Sequence, residues 1–509
     1  MGEKIIARCL HKIRNDNNQI ISYRLQDLNG DIRNFSPRFI KEQILAGNLE
    51  VVNLTLTSDN KLIDKGMKRQ SKGDSTVIED AKIINNMMTK ARMMQNMGLG
   101  YKMEKVKIHG NHSCYFIHKG QDCHTVLIPD TIAKLTKDFL NRLNLLEGTI
   151  IVIGGSGLTD TIDMFKRCKA RHIDLSNFDT RKVTSMSGMF ESCRAESINL
   201  SNINTSMVAD MGHMFLECAV QSLDLSSFDT RRVGAMGSLF RNCKARRINL
   251  SSFDTSNVMS MVYMFESCNL EELDLSNFNT SRVTSMAGMF GYCTIDNNRL
   301  DLSNFDTRNV TNMCDMFSHC SILNIDISSF DTRNVTCMIE MFRGCKMQGI
   351  NISGLNTSSV TDMLGMFREC KARKLDLSNF DTSKVYSMAH MFKDSEIRNL
   401  NISSFNTSNV TSMSEMFRRC KTLDLDLSNF DTTKVEDMTF MFNECKAATL
   451  NVSSFYIQPR CKLSCIFHDC TSIVKVTNIA LIRKLAQAFP RNEKLQELLA
   501  NRDEKLKVK

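Results

Sequence analysis

The chain has 509 residues, 42% hydrophobic and 24% charged, with 65 Lys+Arg against 56 Asp+Glu. This is globular composition with ample core, and the small basic excess permits an acidic partner without demanding one. No segment approaches the ~18 apolar residues that span a bilayer, and the first thirty residues hold no signal-peptide stretch; the expected compartment is the cytoplasm, with all nineteen cysteines reduced.

Taken in chain order, residues 1–65 read as a small α+β module. "IIARCLHKIRN" and "IISYRLQDL" form a hairpin, and "SPRFIKEQILAG" a helix capped by Ser36, opened by Pro37 and ended at Gly47; 51–57 returns as a strand. Residues 66–100 are a basic linker leading to a helix at about 77–97. Its cations lack interleaved aromatics, so a nucleic-acid partner is not expected.

Residues 101–148 form a β-hairpin and a helix, at about 130–145, that lead into the next region as its cap. "HGNHSCYFIHKGQDCH" concentrates His109, His112, Cys114, His118, Cys123 and His124. On a strand, His112, Cys114 and His118 share a face, and a hairpin could gather them with Cys123 and His124 around a metal. The spacing matches no standard finger and Phe116 lies on the same face, so the structural reading is preferred. A Cys–His nucleophile has no third residue to orient it. "GTIIVIGGSGLTDTIDMF" lacks the Lys-Ser/Thr ending of a phosphate loop, so its glycines are read as turning the chain into the first repeat.

Residues 149–470 are thirteen copies of one unit. The Phe of "MF" recurs at 165, 190, 215, 240, 265, 290, 317, 342, 367, 392, 417, 442 and 467, with steps of 25 and a single step of 27 at "CTIDNNRL". Within a copy, "IDLSNF" alternates as a short strand with one buried face, and Val183, Met186, Met189, Phe190 and Cys193 repeat at offsets of three and four, the stripe of a short helix. Such units bury their faces only by stacking. Strands pair about 4.8 Å apart and helices pack about 8–10 Å apart, so the expected shape is an arc with a concave parallel sheet and helices outside.

Twelve cysteines follow the repeat Phe by three residues, and Ser395 replaces the thirteenth. On the wide helical side they would stand too far apart to bridge, so they are read as small core side chains. Cys314, out of register beside His319, is read as a surface accident, and "CKLSCIFHDC" as a variant last repeat rather than a metal site at Cys461, Cys465 and His468. Residues 471–509 close the chain with amphipathic helices and a basic tail.

"LDLSNFDTSKVYSMAHMF" and "LNISSFNTSNVTSMSEMF" resemble the BspA-type leucine-rich repeat, over about residues 149–470. The resemblance implies an arc-shaped, non-enzymatic binding protein, often on a bacterial surface. Together with the residues, it makes an α/β solenoid scaffold the leading reading, with a protein partner and no cofactor. An adhesin exported without a recognisable signal, or a metal enzyme built on 109–124, is the alternative. The expected partner surface joins the basic loop residues Arg246, Arg247, Arg373 and Lys374 to an inner row of acids: Asp174, Asp224, Asp274, Asp301, Asp326, Asp376 and Asp426. Asn interleaves that row, which relieves repulsion between stacked carboxylates.

Overall fold

The computed structural model describes residues 75–98 and 100–475 except 111, 323, 347, 348 and 471, together with Arg483, Ile40 and the backbone of short strands within 5–64. The linker at 66–74, most of the helix expected at 36–47 and nearly all of the C-terminal cap lie outside the described residues.

The chain divides into two contact units, residues 1–160, 168–183 and 194–204 in the first and 161–167, 184–193 and 205–509 in the second. In the first, β1 (Ile5–Arg14) pairs antiparallel with β2 (Ile20–Asp27), which carries β3 (Ile32–Phe35), while β4 (Leu49–Val51) adds parallel to β1. β5 (Leu54–Leu56) and β6 (Leu62–Asp64) form a separate antiparallel pair. Helix α1 (Ser75–Asn96) packs Ile84 and Ala91 against Ile117, Leu127 and Ile153.

Those last residues belong to a six-stranded sheet in which β7 (Tyr101–Lys107), β8 (Ser113–Lys119) and β9 (Cys123–Ile128) run antiparallel. β10 (Thr149–Gly154), β11 (His172–Phe178) and β12 (Ser197–Asn199) then add in parallel. The hairpin thus continues into β10–β12 within one sheet of the first unit. Helix α2 covers only Lys137–Asn144, shorter than the 130–145 expected, because Thr136 takes the N-cap seat and accepts the Phe139 N–H at 3.3 Å. Gly154 and Gly155 turn the chain out of β10 at φ +89° and +95°; a Cβ on Gly154 would stand 2.2 Å from the Ile128 carbonyl.

The second unit corrects the expected α/β architecture. Each repeat supplies a short strand, such as Ser222–Asp224 parallel to Arg247–Asn249, or Lys374–Asp376 parallel to Asn399–Asn401. A second line of parallel bridges runs Ser260, Ser285, Asn312, Cys337, Asp362 and onward. No helix forms on the Met-x-x-Met-Phe-x-x-Cys segments. Across Met286–Cys293, Met289 N–H donates to the Met286 carbonyl (3.2 Å), Gly291 to Gly288 (3.1 Å) and Cys293 to Phe290 (3.1 Å), closing tight turns. The N–H groups between them reach the next coil instead: Gly288 to Cys314 (2.8 Å), Phe290 to Met316 (2.9 Å) and Tyr292 to Ser318 (2.6 Å). Coil after coil, from Ser185 to Lys462, is therefore bonded to the next on this side, while the strands opposite pair in twos, with three at the last coils, and the repeats form a β-solenoid.

Coil spacing explains why. Successive repeat Phe rings, all buried, stack nearly parallel with centroids 5.3–5.9 Å apart. Helices need about 8–10 Å between axes and cannot fit a stack at strand spacing. With no helical side wider than the strand side, the expected arc loses its cause.

Eleven of the twelve ladder cysteines are buried core, as the pattern implied, and Cys470 is half-buried, but the members stand closer than expected: Cys420 Sγ lies 3.6 Å from Cys445 Sγ. Burial pushes Cys243 and Cys370 up to about 11 and Cys320 up to about 12, so these three are packing groups rather than nucleophiles. Cys314 is not a surface accident: it is bridged to Cys337 of the next coil, Cα–Cα 5.8 Å. The expectation of nineteen free thiols is corrected at that pair.

Candidate functional site

The acid row emerges on the strand side much as its Asp/Asn alternation implied. Asn199, Asn249, Asn401 and Asn451 donate Nδ2–H to Oδ1 of Asp174, Asp224, Asp376 and Asp426, at 2.8–3.0 Å. The same oxygens accept the N–H of the serine two residues on, as at Ser226 and Ser378. Serine hydroxyl and N–H bonds hold Asp301, Asp326 and Asp376 below the usual carboxylate range, and the Ser276 N–H leads the same effect at Asp274. Asp224, Asp274, Asp301, Asp326, Asp376 and Asp426 are exposed. Asp174, 7% exposed, is buried.

The basic loop residues fall into two groups. Arg246 is ion-paired to Glu271 at 3.7 Å and to Asp296, and Arg247 to Glu271 at 3.4 Å, so this stretch of rim is locally balanced. Arg373 and Lys374 are exposed three to five coils further on, in a stretch of different composition. There Arg398 N–H donates to the Arg373 carbonyl and Leu423 N–H to the Arg398 carbonyl, each 2.9 Å, which stacks the three side chains in one column. Arg398 lies outside the repeated "CKAR" pattern and is visible as a rim residue only once the columns are aligned.

The turn side carries a second charged group that no repeat motif announces. Glu340 bonds Arg343 at 2.7 Å and approaches Arg368 at 3.7 Å; Glu415 bonds Lys393 at 2.6 Å and Arg418 at 2.7 Å. Burial raises the Glu415 carboxyl, but the Lys393 and Arg418 hydrogen bonds outweigh it and bring it down to about 2. These ions lie flat across neighbouring coils and tie them together.

Of the five metal candidates the structure gathers two. His118 and His124 are register partners on β8 and β9, with Nδ1 atoms 2.9 Å apart. Cys114 is fully buried near Phe116, its thiol pushed up to about 12, His112 is exposed in the turn before β8, and Cys123 takes the opposite face from His124. Among the described residues no group of three or more His, Cys, Asp or Glu could hold a metal ion.

The histidine pair has a pH consequence. Burial holds both below the ordinary imidazole range; Glu104 opposes this at His118, and His118 adds to it at His124. The folded state thus binds fewer protons than the unfolded chain once pH falls below ~6.5. Stability of this unit should be level above that pH and decline below it. Thermal melting between pH 7.5 and 5 should show the decline, and His118→Gln/His124→Gln should flatten it; an equal slope in both proteins would contradict the assignment.

Among the described residues no helix is long and apolar enough to cross a membrane. No curated protein and no solved structure matches the chain. Residues 159–272, 260–376 and 363–480 each match the family described as "Mycoplasma protein of unknown function, DUF285". These tandem matches cover more than half of the sequence and coincide with the coil stack, so the chain belongs to the DUF285 family.

Proposed function

We propose that this protein is a non-enzymatic scaffold that captures a protein partner on its repeat surface, through the basic rim and the neighbouring acid row. The observation that carries this reading is the exposed column of Arg373 and Arg398 beside Lys374, set against the ion-paired Arg246 and Arg247. Arg is the cation that contributes most at interfaces, and one already paired offers less to a newcomer. The likeness to BspA-type repeats supports binding rather than catalysis. Two charge reversals test it, Arg373→Glu/Lys374→Glu and Arg246→Glu/Arg247→Glu, each compared with wild type for partner capture from host lysate and for melting temperature. The first should weaken capture about tenfold and reduce its salt dependence, the second less, with folding intact in both. Unchanged capture by the first variant would move the binding site to the N-terminal module.

A further inference from the structure

The rim at Arg373 holds something a purely electrostatic surface lacks. Leu423 is 51% exposed and sits directly over Arg398 in the same column as Arg373. Around this column lie the exposed Lys371, Lys374 and Lys421, with Glu396, bound to Lys421 at 3.1 Å, Asp424, and Asp376, which feels the Lys374 charge, as the nearby acids. Asp424 accepts the Thr449 hydroxyl at 2.6 Å, so part of its capacity is already used. Cations therefore outnumber acids around one solvent-facing aliphatic side chain, in a loop whose equivalent positions carry Gln221, Arg246 and Glu271 elsewhere.

We infer that this stretch of rim takes an acidic polypeptide segment bearing an aliphatic side chain. Its carboxylates meet Arg373 and Arg398, and its aliphatic group packs on Leu423. This rests on the reading of the rim as the capture surface and adds the chemistry of the partner. Two arginines one coil apart present planar donors to successive carboxylates, and guanidinium–carboxylate pairs are the stronger charge-assisted kind. A leucine beside such pairs gains from covering by another apolar group and offers nothing to a phosphate chain. Single-stranded nucleic acid would call for aromatic stacking surfaces. The exposed tyrosines among the described residues, Tyr292, Tyr386 and Tyr456, all belong to other columns of the coil.

The full-length protein, its Arg373→Glu/Arg398→Glu variant and its Leu423→Ser variant should be titrated against three fluorescein-labelled probes. These are a short peptide alternating Glu and Leu, the same peptide with Ser for Leu, and an oligodeoxythymidylate of similar charge. The Glu–Leu peptide should bind wild type about tenfold more tightly than the Glu–Ser peptide. Leu423→Ser should remove most of that difference without altering Glu–Ser binding, the signature of a direct pair. Arg373→Glu/Arg398→Glu should weaken both peptides tenfold or more. Tighter binding of the oligonucleotide, no binding of the Glu–Leu peptide, or equal effects of Leu423→Ser on both peptides would overturn the inference while leaving the rim as a charged surface. If the charge reversal changes nothing, the rim reading itself falls with it.

Discussion

Phe317→Ala should lower stability by about 3–5 kcal/mol, the range for truncating a buried aromatic side chain. Phe317 is fully buried and stacks on Phe290 at 5.7 Å and on Phe342 at 5.8 Å, so its removal opens a gap between two coils. In a stack where each coil touches only its neighbours, the damage should stay local. Amide exchange should quicken most in the coils around residues 290–342, and denaturant unfolding gives the total. A loss below about 1 kcal/mol would mean the ring column is not packed as described.

The second large effect is expected from a hydroxyl. Thr332 is fully buried; its Oγ1 donates to the Asn356 carbonyl at 2.7 Å and accepts the Asn356 N–H at 2.8 Å. The same exchange recurs along the stack, for example between Thr230 and Asp254 and between Thr382 and Asn406. Thr332→Val keeps the shape and takes the hydroxyl from two part-buried backbone groups of Asn356, at a cost of about 2–3 kcal/mol. Thr332→Ser keeps both bonds, loses one methyl and should cost about 1 kcal/mol. If Val is tolerated as well as Ser in chemical denaturation, the threonine column does not stitch the coils.

What was legible in the sequence was whatever repeats by residue type. The 25-residue steps marked the stack, the alternating "LDLS" marked a strand with Leu inward and Asp outward, and the Asp/Asn alternation anticipated the amide–carboxylate bonds between paired coils. Thr180 and its counterparts are of a residue type common in turns and at helix caps, and their role between coils needs the coil spacing.

The helix was misread for a definable reason. Offsets of three and four place Met186, Met189, Phe190 and Cys193 on one side of a helix, but two successive tight turns place the same four inward. The discriminating positions are the ones between. The residues two before and two after each repeat Phe are left-handed throughout: Gly188 at φ +63°, Ser192 at +53°, His213 at +59°, Asn242 at +52°, Asp394 at +57°. Many of these are Gly, Asn, Asp or His, the residues that tolerate that region best. A column of such types at fixed positions argues for turns, whereas helices disfavour Gly, Asn and Asp. Non-glycine members carry strain of about 1 kcal/mol each, offset by the coil-to-coil hydrogen bonds they allow. Glycine enters where a neighbour's side chain needs the space: a Cβ on Gly288 would stand 2.2 Å from the Tyr263 ring, and one on Gly344 2.3 Å from the His319 ring.

The candidate site was half legible for a related reason. "CKAR" drew attention to Arg246, Arg247, Arg373 and Lys374 alike, because identity along the chain says nothing of partners across coils. Glu271 and Asp296 neutralise the first pair from later repeats, and Arg398 and Leu423 join the second from repeats with different local sequence. For the His/Cys cluster, strand parity was informative about faces but not about register, which brings His118 to His124 and leaves His112 in the preceding turn.

The rise per coil on the turn side separates a β-solenoid from a helix-walled repeat most directly. Thr336 and Glu436 are exposed, equivalent positions four coils apart. Spin labels introduced there by a chemistry that spares the native cysteines report their separation by pulsed electron resonance. Coils stacked at strand spacing require about 20 Å, whereas a wall of packed helices at the same positions would put the labels about 32–40 Å apart and contradict the β-solenoid.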